Sequence, residues 1–470
     1  MSSLNELTEK ANALKAAGDL AGAIAVHEQL VRLAPTNGAV LHNHAAALGD
    51  AGRNLEAISQ AERAFATGLD APQTWLVLAR ALAGAGRADD SIRAFRESVR
   101  RQPLNREAQR ELAQMVWMRT ADLSKALEFV DAALKASPQS VELKLLRGEI
   151  IGQSGDARGE YDEVSSVLAD YSGQNAFLEL AAVNAALAAG RYDDALKHAR
   201  TAMDLAPGEQ RVIAGLCRSF LAVGEAREAA LLASRLHATY PLDQFYIALL
   251  ATAWRMLGDE RCHYLYNYDR FVGAFSLSCP NGWASVEAYV DDLLETLDRL
   301  HNYETHPYGQ SVRHGSQLPS IFSFGEPVLD AYKQAIRGPI QRFLQQIGAG
   351  GDPLRVRNRG GHQIFSAWSI RLKASGYHIN HVHPEGWLSS ACHLRMPKSG
   401  GADDKSGWLT FGEPGIPTTP KLTPEYYIKP QIGVMAIFPS YMWHGTVPFS
   451  GDIRRTTIAI DLVPAPVSVI

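Results

Sequence analysis

Six glycines recur along the first half of the chain at nearly one interval, and this period limits the fold more than any other feature. Gly18, Gly52, Gly86, Gly155, Gly190 and Gly224 are separated by 34, 34, 69, 35 and 34 residues. The 69-residue gap is two periods, with Ala121 where the absent glycine would stand. Five residues beyond most of these positions comes a small residue (Ala23, Ala57, Ser91, Ala126, Ala195 and Ala229), and Glu160 breaks the pattern once. Seventeen residues beyond comes a proline in five repeats: Pro35, Pro103, Pro138, Pro207 and Pro241. A period of about 34 residues holds two helices of about a dozen residues each, plus turns. Glycine ends the first helix by taking a left-handed conformation cheaply. The small residue lets the second helix approach the first, and proline closes the second because it cannot continue one. Leu76, Leu78, Ala79 and Leu82 show the apolar spacing of a helix face between these marks.

The repeat resembles the tetratricopeptide repeat over about residues 4–245, recurring seven times. Such arrays curve into a superhelix with a concave surface, so the resemblance implies a peptide, protein substrate or partner held on the array. A chain of 470 residues exceeds one typical core. The expected organisation is a repeat array over 1–245, a junction with helices over 246–305, and a separate domain over 306–470.

Charge and cysteine usage narrow the partners. A formal net charge of -4 without any basic block gives no pull toward nucleic acid or an anionic membrane. The opening residues lack the basic and apolar stretches of a secretory signal, and no apolar run approaches the roughly 20 residues of a bilayer span. Cys217, Cys262, Cys279 and Cys392 form no C-x-x-C pair. A cytoplasmic protein is expected, and any metal site should be built from histidine and carboxylate.

From about Cys262 the period is lost and Tyr264, Tyr266, Tyr268, Phe271 and Phe275 cluster, which suits a seal on the last repeat. Ser285 to Leu300 reads as an amphipathic helix, and Pro327 to Ile347 as a second. The polar segment His306 to Gln317 between them reads as a loop, beside a pocket or on the plain surface. After Gly360 the period becomes short and alternating. Candidate strands are 363–373, 376–382, 387–396, 407–412, 426–430, 433–438, 442–447 and 454–463. Eight short strands separated by Gly, Pro and Asp predict an antiparallel sandwich or jelly roll.

Two stretches of this domain carry chemistry. The first contains His381-Val382-His383-Pro384-Glu385 and the second Trp443-His444-Gly445, followed by Arg455-Thr456-Thr457. On a strand, residues i and i+2 share a face, so His381 and His383 can offer two imidazoles to one ion. His444, 61 residues after His383, supplies a third ligand from another strand. Three ligands on one face of an octahedron leave positions free for a bidentate cosubstrate and for O2. Imidazole suits Fe(II), but also Zn, Cu and Ni. Arg455 and Thr457 share a face of the last strand, where a guanidinium can bind a carboxylate bidentately. By the same alternation His378 should face away from the pair and Arg454 should point to solvent, while Trp368, Trp387 and Trp443 suit core or pocket wall.

These stretches resemble the 2-oxoglutarate/Fe(II)-dependent oxygenases, and specifically their tetratricopeptide-linked branch. The likeness lies in His381-Val382-His383-Pro384, Gly386-Trp387-Leu388-Ser389-Ser390, Phe411-Gly412-Glu413-Pro414, Phe438-Pro439-Ser440, Trp443-His444-Gly445 and Arg455-Thr456-Thr457-Ile458-Ala459. The resemblance implies a double-stranded β-helix (jelly-roll) domain with flanking helices behind an all-α array. It implies Fe(II), 2-oxoglutarate and O2 as cofactor and cosubstrates. His381 and His444 would bind iron, and Arg455, helped by Thr457, would hold the distal carboxylate of 2-oxoglutarate. Members couple decarboxylation of 2-oxoglutarate to hydroxylation of a C–H bond, with succinate and CO2 as coproducts.

One position departs from the pattern. The wider superfamily has an acid two residues after the first histidine, and this chain has His383. His383 can be the third metal ligand, since i, i+2 alternation needs no bend. Glu385 is an alternative, though the proline before it bends the strand. A third arrangement uses only His381 and His444, with water completing the site. Two other functions remain open: a cupin-like three-histidine dioxygenase that does not use 2-oxoglutarate, and a non-enzymatic scaffold with a metal-free β-domain.

Overall fold

The computed structural model describes residues 3–171, 175–397, 404–450 and 454–466. Among them, fifteen α-helices of 13–15 residues run from Leu4–Ala16 to Gln244–Met256. The six periodic glycines lie in the turns between paired helices with φ between +73° and +105°. Ala121, in the place of the missing glycine, adopts the same left-handed conformation at φ +52°. The backbone demand of the turn thus holds even where the side chain pays for it.

The chain forms two compact units. The first comprises Met1–Leu146 and Pro319–Gly325. Its first helix opens on a reciprocal cap, in which the Glu6 backbone N–H donates to Ser3 Oγ and the Ser3 N–H to the Glu6 carboxylate. Leu7, Ala11, Val26, Leu30 and Val40 pack one core cluster across three helices. The short turn Ile321–Phe324 rests on the repeat loops, where the Ser323 hydroxyl donates to Gly84 O at 3.4 Å. A Cβ on Gly86 would stand 3.1 Å from the Phe324 ring, so this glycine also permits a close approach.

The second unit comprises Arg147–Leu318 and Glu326–Ile470, and so contains both the later repeats and the sheets. Glu160, the residue that breaks the small-residue pattern, is accommodated by Gly152 on the preceding helix, where any Cβ would collide with the Glu160 carboxylate. Burial and the neighbouring Glu149 push the Glu160 carboxyl up to about 7.

Among the described residues nine strands follow: β1 (Gly273–Ser276), β2 (Val312–Pro319), β3 (Gly360–His378), β4 (Leu388–Arg395), β5 (Leu409–Phe411), β6 (Tyr426–Ile428), β7 (Val434–Pro439), β8 (His444–Thr446) and β9 (Arg455–Pro466). They form a six-stranded sheet in the order β1-β7-β4-β9-β3-β2 and a three-stranded sheet in the order β6-β5-β8. The pairs β1–β7, β7–β4, β4–β9, β9–β3, β6–β5 and β5–β8 are antiparallel. The architecture is therefore an all-α repeat array followed by an antiparallel sheet domain with flanking helices.

Four local expectations change. The segments expected as strands 363–373 and 376–382 are one strand, β3, which passes through Ser375 at φ +60° and ends at His378. The polar segment before Pro319 is not a loop throughout: Val312–Pro319 is strand β2. Its polar residues are satisfied in the interior, with Ser316 Oγ 3.3 Å from His301 Nδ1, and a Cβ on Gly315 would lie 2.6 Å from Arg371 O. The helix expected over 327–347 is two, Pro327–Ala335 and Arg337–Ile347, because Pro339 suits a first turn and not a helix interior. The strand β1 lies in the aromatic run, where no strand is expected from the sequence. Within that run Tyr266 packs against Tyr441 and its hydroxyl donates to Tyr441 O at 3.0 Å.

Candidate metal centre

A two-residue backbone pairing creates the centre. His381 N–H donates to His444 O at 2.9 Å, and His444 N–H returns to His381 O at 3.1 Å. This opposed pair sets the two imidazoles side by side, with ring centroids 4.1 Å apart. His383 is anchored separately, its N–H donating to Ser440 O at 3.0 Å. Its ring centroid lies 5.0 Å from that of His381 and 5.1 Å from that of His444. One ring nitrogen from each of the three lies within 4.8 Å of the others.

The hydrogen bonds fix which nitrogen faces the centre. His381 Nδ1 lies 2.8 Å from Ile379 O, and His444 Nδ1 lies 2.9 Å from Met442 O. A carbonyl only accepts, so each Nδ1 carries the proton and each Nε2 keeps its lone pair. His383 Nδ1 lies 2.7 Å from Asp461 Oδ2, and its Nε2 is buried without a protein partner. Burial and the nearby His383 push His381 down to about 3, and burial holds His444 well below the usual histidine range. Both are neutral imidazoles, the form that binds metal.

The cluster faces a cavity of about 550 Å³ between the two sheets. Arg455 and Thr457, on β9, line the same cavity. The Arg455 guanidinium is buried. It donates from Nη1 to Gly407 O at 2.8 Å and from Nη2 to His393 Nε2 at 2.6 Å, and its Nε has no partner. Among the described residues no carboxylate pairs with it. Burial pushes it down to about 10, so the charge is retained at neutral pH. A buried cation without a counter-ion, open to a cavity, fits an anionic ligand group.

The remaining sequence candidates fall in different places. Glu385 is exposed at the cavity wall and outside the histidine cluster. Trp368 forms cavity wall, stacked on His383 at 5.6 Å and 14°. Trp387 is core, and Arg454 is exposed. His378 does not face away: its ring stacks 5.9 Å from that of His381 and lines the cavity. The alternation argument fails for it because β3 ends at His378 and the chain turns before His381. Asp461 and His393 are absent from the motifs. A carboxylate between Ile460 and Leu462 in an apolar strand is the signal that could have found Asp461, since a buried charge needs partners.

Residues 366–461 match the family described as "Putative 2OG-Fe(II) oxygenase". Residues 76–141 and 186–253 match two tetratricopeptide repeat families. The chain thus combines stretches that match tetratricopeptide repeats with a stretch that matches the putative 2OG-Fe(II) oxygenase model. Several solved structures are similar to the chain at low identity. A tetratricopeptide repeat protein from Parabacteroides merdae is 16% identical with a TM-score of 0.39, over 53% of this chain and 98% of that one. The C-terminal part of a repeat protein from Cytophaga hutchinsonii is 13% identical with a TM-score of 0.37, over 52% and 99%. The pilus biogenesis factor PilW is 16% identical with a TM-score of 0.34, over 45% and 98%. No curated protein matches the chain. Among the described residues no helix is long and apolar enough to cross a membrane.

Proposed function

We propose that this tetratricopeptide-linked domain is an Fe(II)- and 2-oxoglutarate-dependent dioxygenase that hydroxylates a peptide, protein or carrier-bound substrate held by the repeats. One observation carries the reading: three imidazoles converge beside a cavity that also contains a buried guanidinium with no carboxylate partner among the described residues. His381, His383 and His444 are the metal ligands. Glu385 is exposed and lies outside the histidine cluster, which supports His383 over Glu385 as the third ligand. Arg455, with Thr457, receives the distal carboxylate of 2-oxoglutarate. The two sheets act as a double-stranded β-helix around the centre. The four unpaired cysteines and an oxidisable ion suit the cytoplasm.

Bound Fe(II), with 2-oxoglutarate and O2, supplies the oxidising power for C–H hydroxylation and leaves succinate and CO2. The chain's own residues bind, orient and shield. The Ile379 and Met442 carbonyls and the Asp461 carboxylate hold the three rings in one tautomer. Trp368 over His383, and Phe438 at 4.5 Å from His444, limit water around the ligands. His393 and Gly407 O aim the Arg455 guanidinium, and its charge-assisted bonds to a carboxylate set the cosubstrate's direction.

The test is anaerobic loading with Fe(II), followed by succinate measurement with 2-oxoglutarate and O2. Iron should bind at one per chain, be lost in His444→Ala, and give succinate. Iron that is retained without any 2-oxoglutarate turnover, coupled or uncoupled, rejects the reading. The all-histidine ligand set favours one second reading, a three-histidine dioxygenase that binds its substrate directly. Under that reading Arg455→Ala keeps activity.

A further inference from the structure

We infer that Asp461 is a positioning residue of the metal centre, supplying through one hydrogen bond to His383 the carboxylate that a ligand set of three imidazoles lacks. The inference rests on the assignment of His381, His383 and His444 as ligands.

The geometry is built by sheet register. Asp461 on β9 stands opposite Ser389 on β4 and Ser366 on β3. The register of β3 against β9 shifts between Ile364 and Ser366, so Phe365 is the extra residue of a bulge. The bulge has two consequences. It brings Ser366 level with Asp461, and it leaves Phe365 half exposed at the cavity. Asp461 is itself buried, at 5% exposure. Its Oδ1 accepts from Ser389 Oγ at 2.7 Å, and its Oδ2 accepts from His383 Nδ1 at 2.7 Å and from Ser366 Oγ at 3.3 Å. Ser389 Oγ lies 2.9 Å from Ser440 Oγ, and Ser440 O is the acceptor that anchors the His383 backbone.

Among the described residues no lysine or arginine pairs with Asp461. A carboxylate removed from water without a cationic partner is costly unless its lone pairs are filled. Here two hydroxyls and one imidazole N–H fill them, and the imidazole's other nitrogen is the unpartnered Nε2 aimed into the cluster. A packing role alone would not require a charge there. A carboxylate behind a ligating imidazole fixes its tautomer and rotation and makes it a stronger donor, an effect on metal affinity of about 10- to 100-fold. Four strands (β3, β4, β7 through its terminal loop, and β9) converge on this one contact.

The experiment reads binding and not turnover. Co(II) alone is titrated into the full-length apo-protein and followed by its visible absorption, with thermal melts of every variant. Asp461→Asn keeps the size and an acceptor oxygen but removes the charge, and should weaken Co(II) binding about 10- to 100-fold. Ser366→Ala, at the bulge, should weaken it less. The decisive arm is the exchange: His383→Asp combined with Asp461→Asn returns one carboxylate to the centre. It should bind Co(II) at least tenfold more tightly than the two single losses added together predict. A structural role for Asp461 predicts additive losses and unchanged affinity in well-folded Asp461→Asn, and either result overturns the inference. If wild type takes up no Co(II) or Fe(II), the metal assignment itself fails. If wild type binds and Asp461→Asn binds equally, only the role of Asp461 fails.

Discussion

The Trp443 indole N–H donates to the Thr252 hydroxyl at 2.9 Å, tying the residue before His444 to the last repeat helix. The same helix, Gln244–Met256, begins with an N–H from Gln244 that donates to Pro384 O, one residue after His383. Arg255 near its other end donates to Gly412 O and Thr423 O and pairs with Glu425. One helix thus braces both histidine-bearing stretches. Trp443→Phe removes a buried hydrogen bond and part of a buried ring, while Thr252 keeps its own bond to Ala248 O. The expected cost is about 1–3 kcal/mol of stability, together with weaker metal retention. Melting temperature and iron content of the purified variant check both. A variant that loses stability but retains iron as wild type does would show that the brace does not reach the ligands.

Arg455→Met separates cosubstrate binding from folding. In the apo-protein the guanidinium is buried without a carboxylate, so its removal should leave thermal stability unchanged or raised. Charge-assisted hydrogen bonds contribute about 1.5–3 kcal/mol, so the KM for 2-oxoglutarate should rise about 10- to 100-fold. Succinate formation against 2-oxoglutarate concentration measures this. The addition of 2-oxoglutarate with metal should raise the melting temperature of wild type and not of the variant.

Much of the architecture follows from patterns that the chain displays openly. The glycine turns, the small residues and the alternating C-terminal segments each express a local backbone or packing demand, so helices and most strands are legible from them. What escapes is long-range. The strand β2 hides in a polar segment because His301, brought close by the fold, satisfies Ser316. His381 and His383 share a cluster without sharing a regular strand, since only an isolated bridge to His444 holds the first and Ser440 O the second. The same loss of regularity turns His378 toward the cavity. Asp461 is read as one residue of an apolar strand until register places two serines and an imidazole around it. Residues such as Glu160 show the converse, where a broken rule is compensated by a glycine on the facing helix.

Glu160 also makes stability depend on pH. Its carboxyl is raised from 4.5 to about 7 by burial and Glu149. Below about 4.5 both folded and unfolded chains hold the proton, and the group contributes no penalty. Between 4.5 and 7 the folded chain retains a proton that the unfolded chain has lost, so stability falls as pH rises through this window. The penalty is complete above it. Glu160→Gln, neutral at every pH, should melt like wild type at pH about 4 and higher than wild type at pH about 8. Parallel melting curves for the two proteins across that range would count against a half-buried, protonated Glu160.

Ala121 tests whether the turn's backbone requirement has an energetic cost. An L-residue in the left-handed region costs about 1–2 kcal/mol, and glycine removes that cost at the expense of about 0.4–1 kcal/mol of added freedom in the unfolded chain. With φ at +52°, Ala121→Gly should therefore stabilise by about 0.5–1 kcal/mol. Gly190→Ala is the mirror experiment. Its φ is +73° and a Cβ there would meet nothing within 4 Å, so only conformation opposes it, and a loss of about 1 kcal/mol is expected. Urea unfolding midpoints of both variants measure the pair. Opposite signs locate the period of the array in its turn geometry. If Ala121→Gly destabilises, alanine must be held there by packing that outweighs its strain.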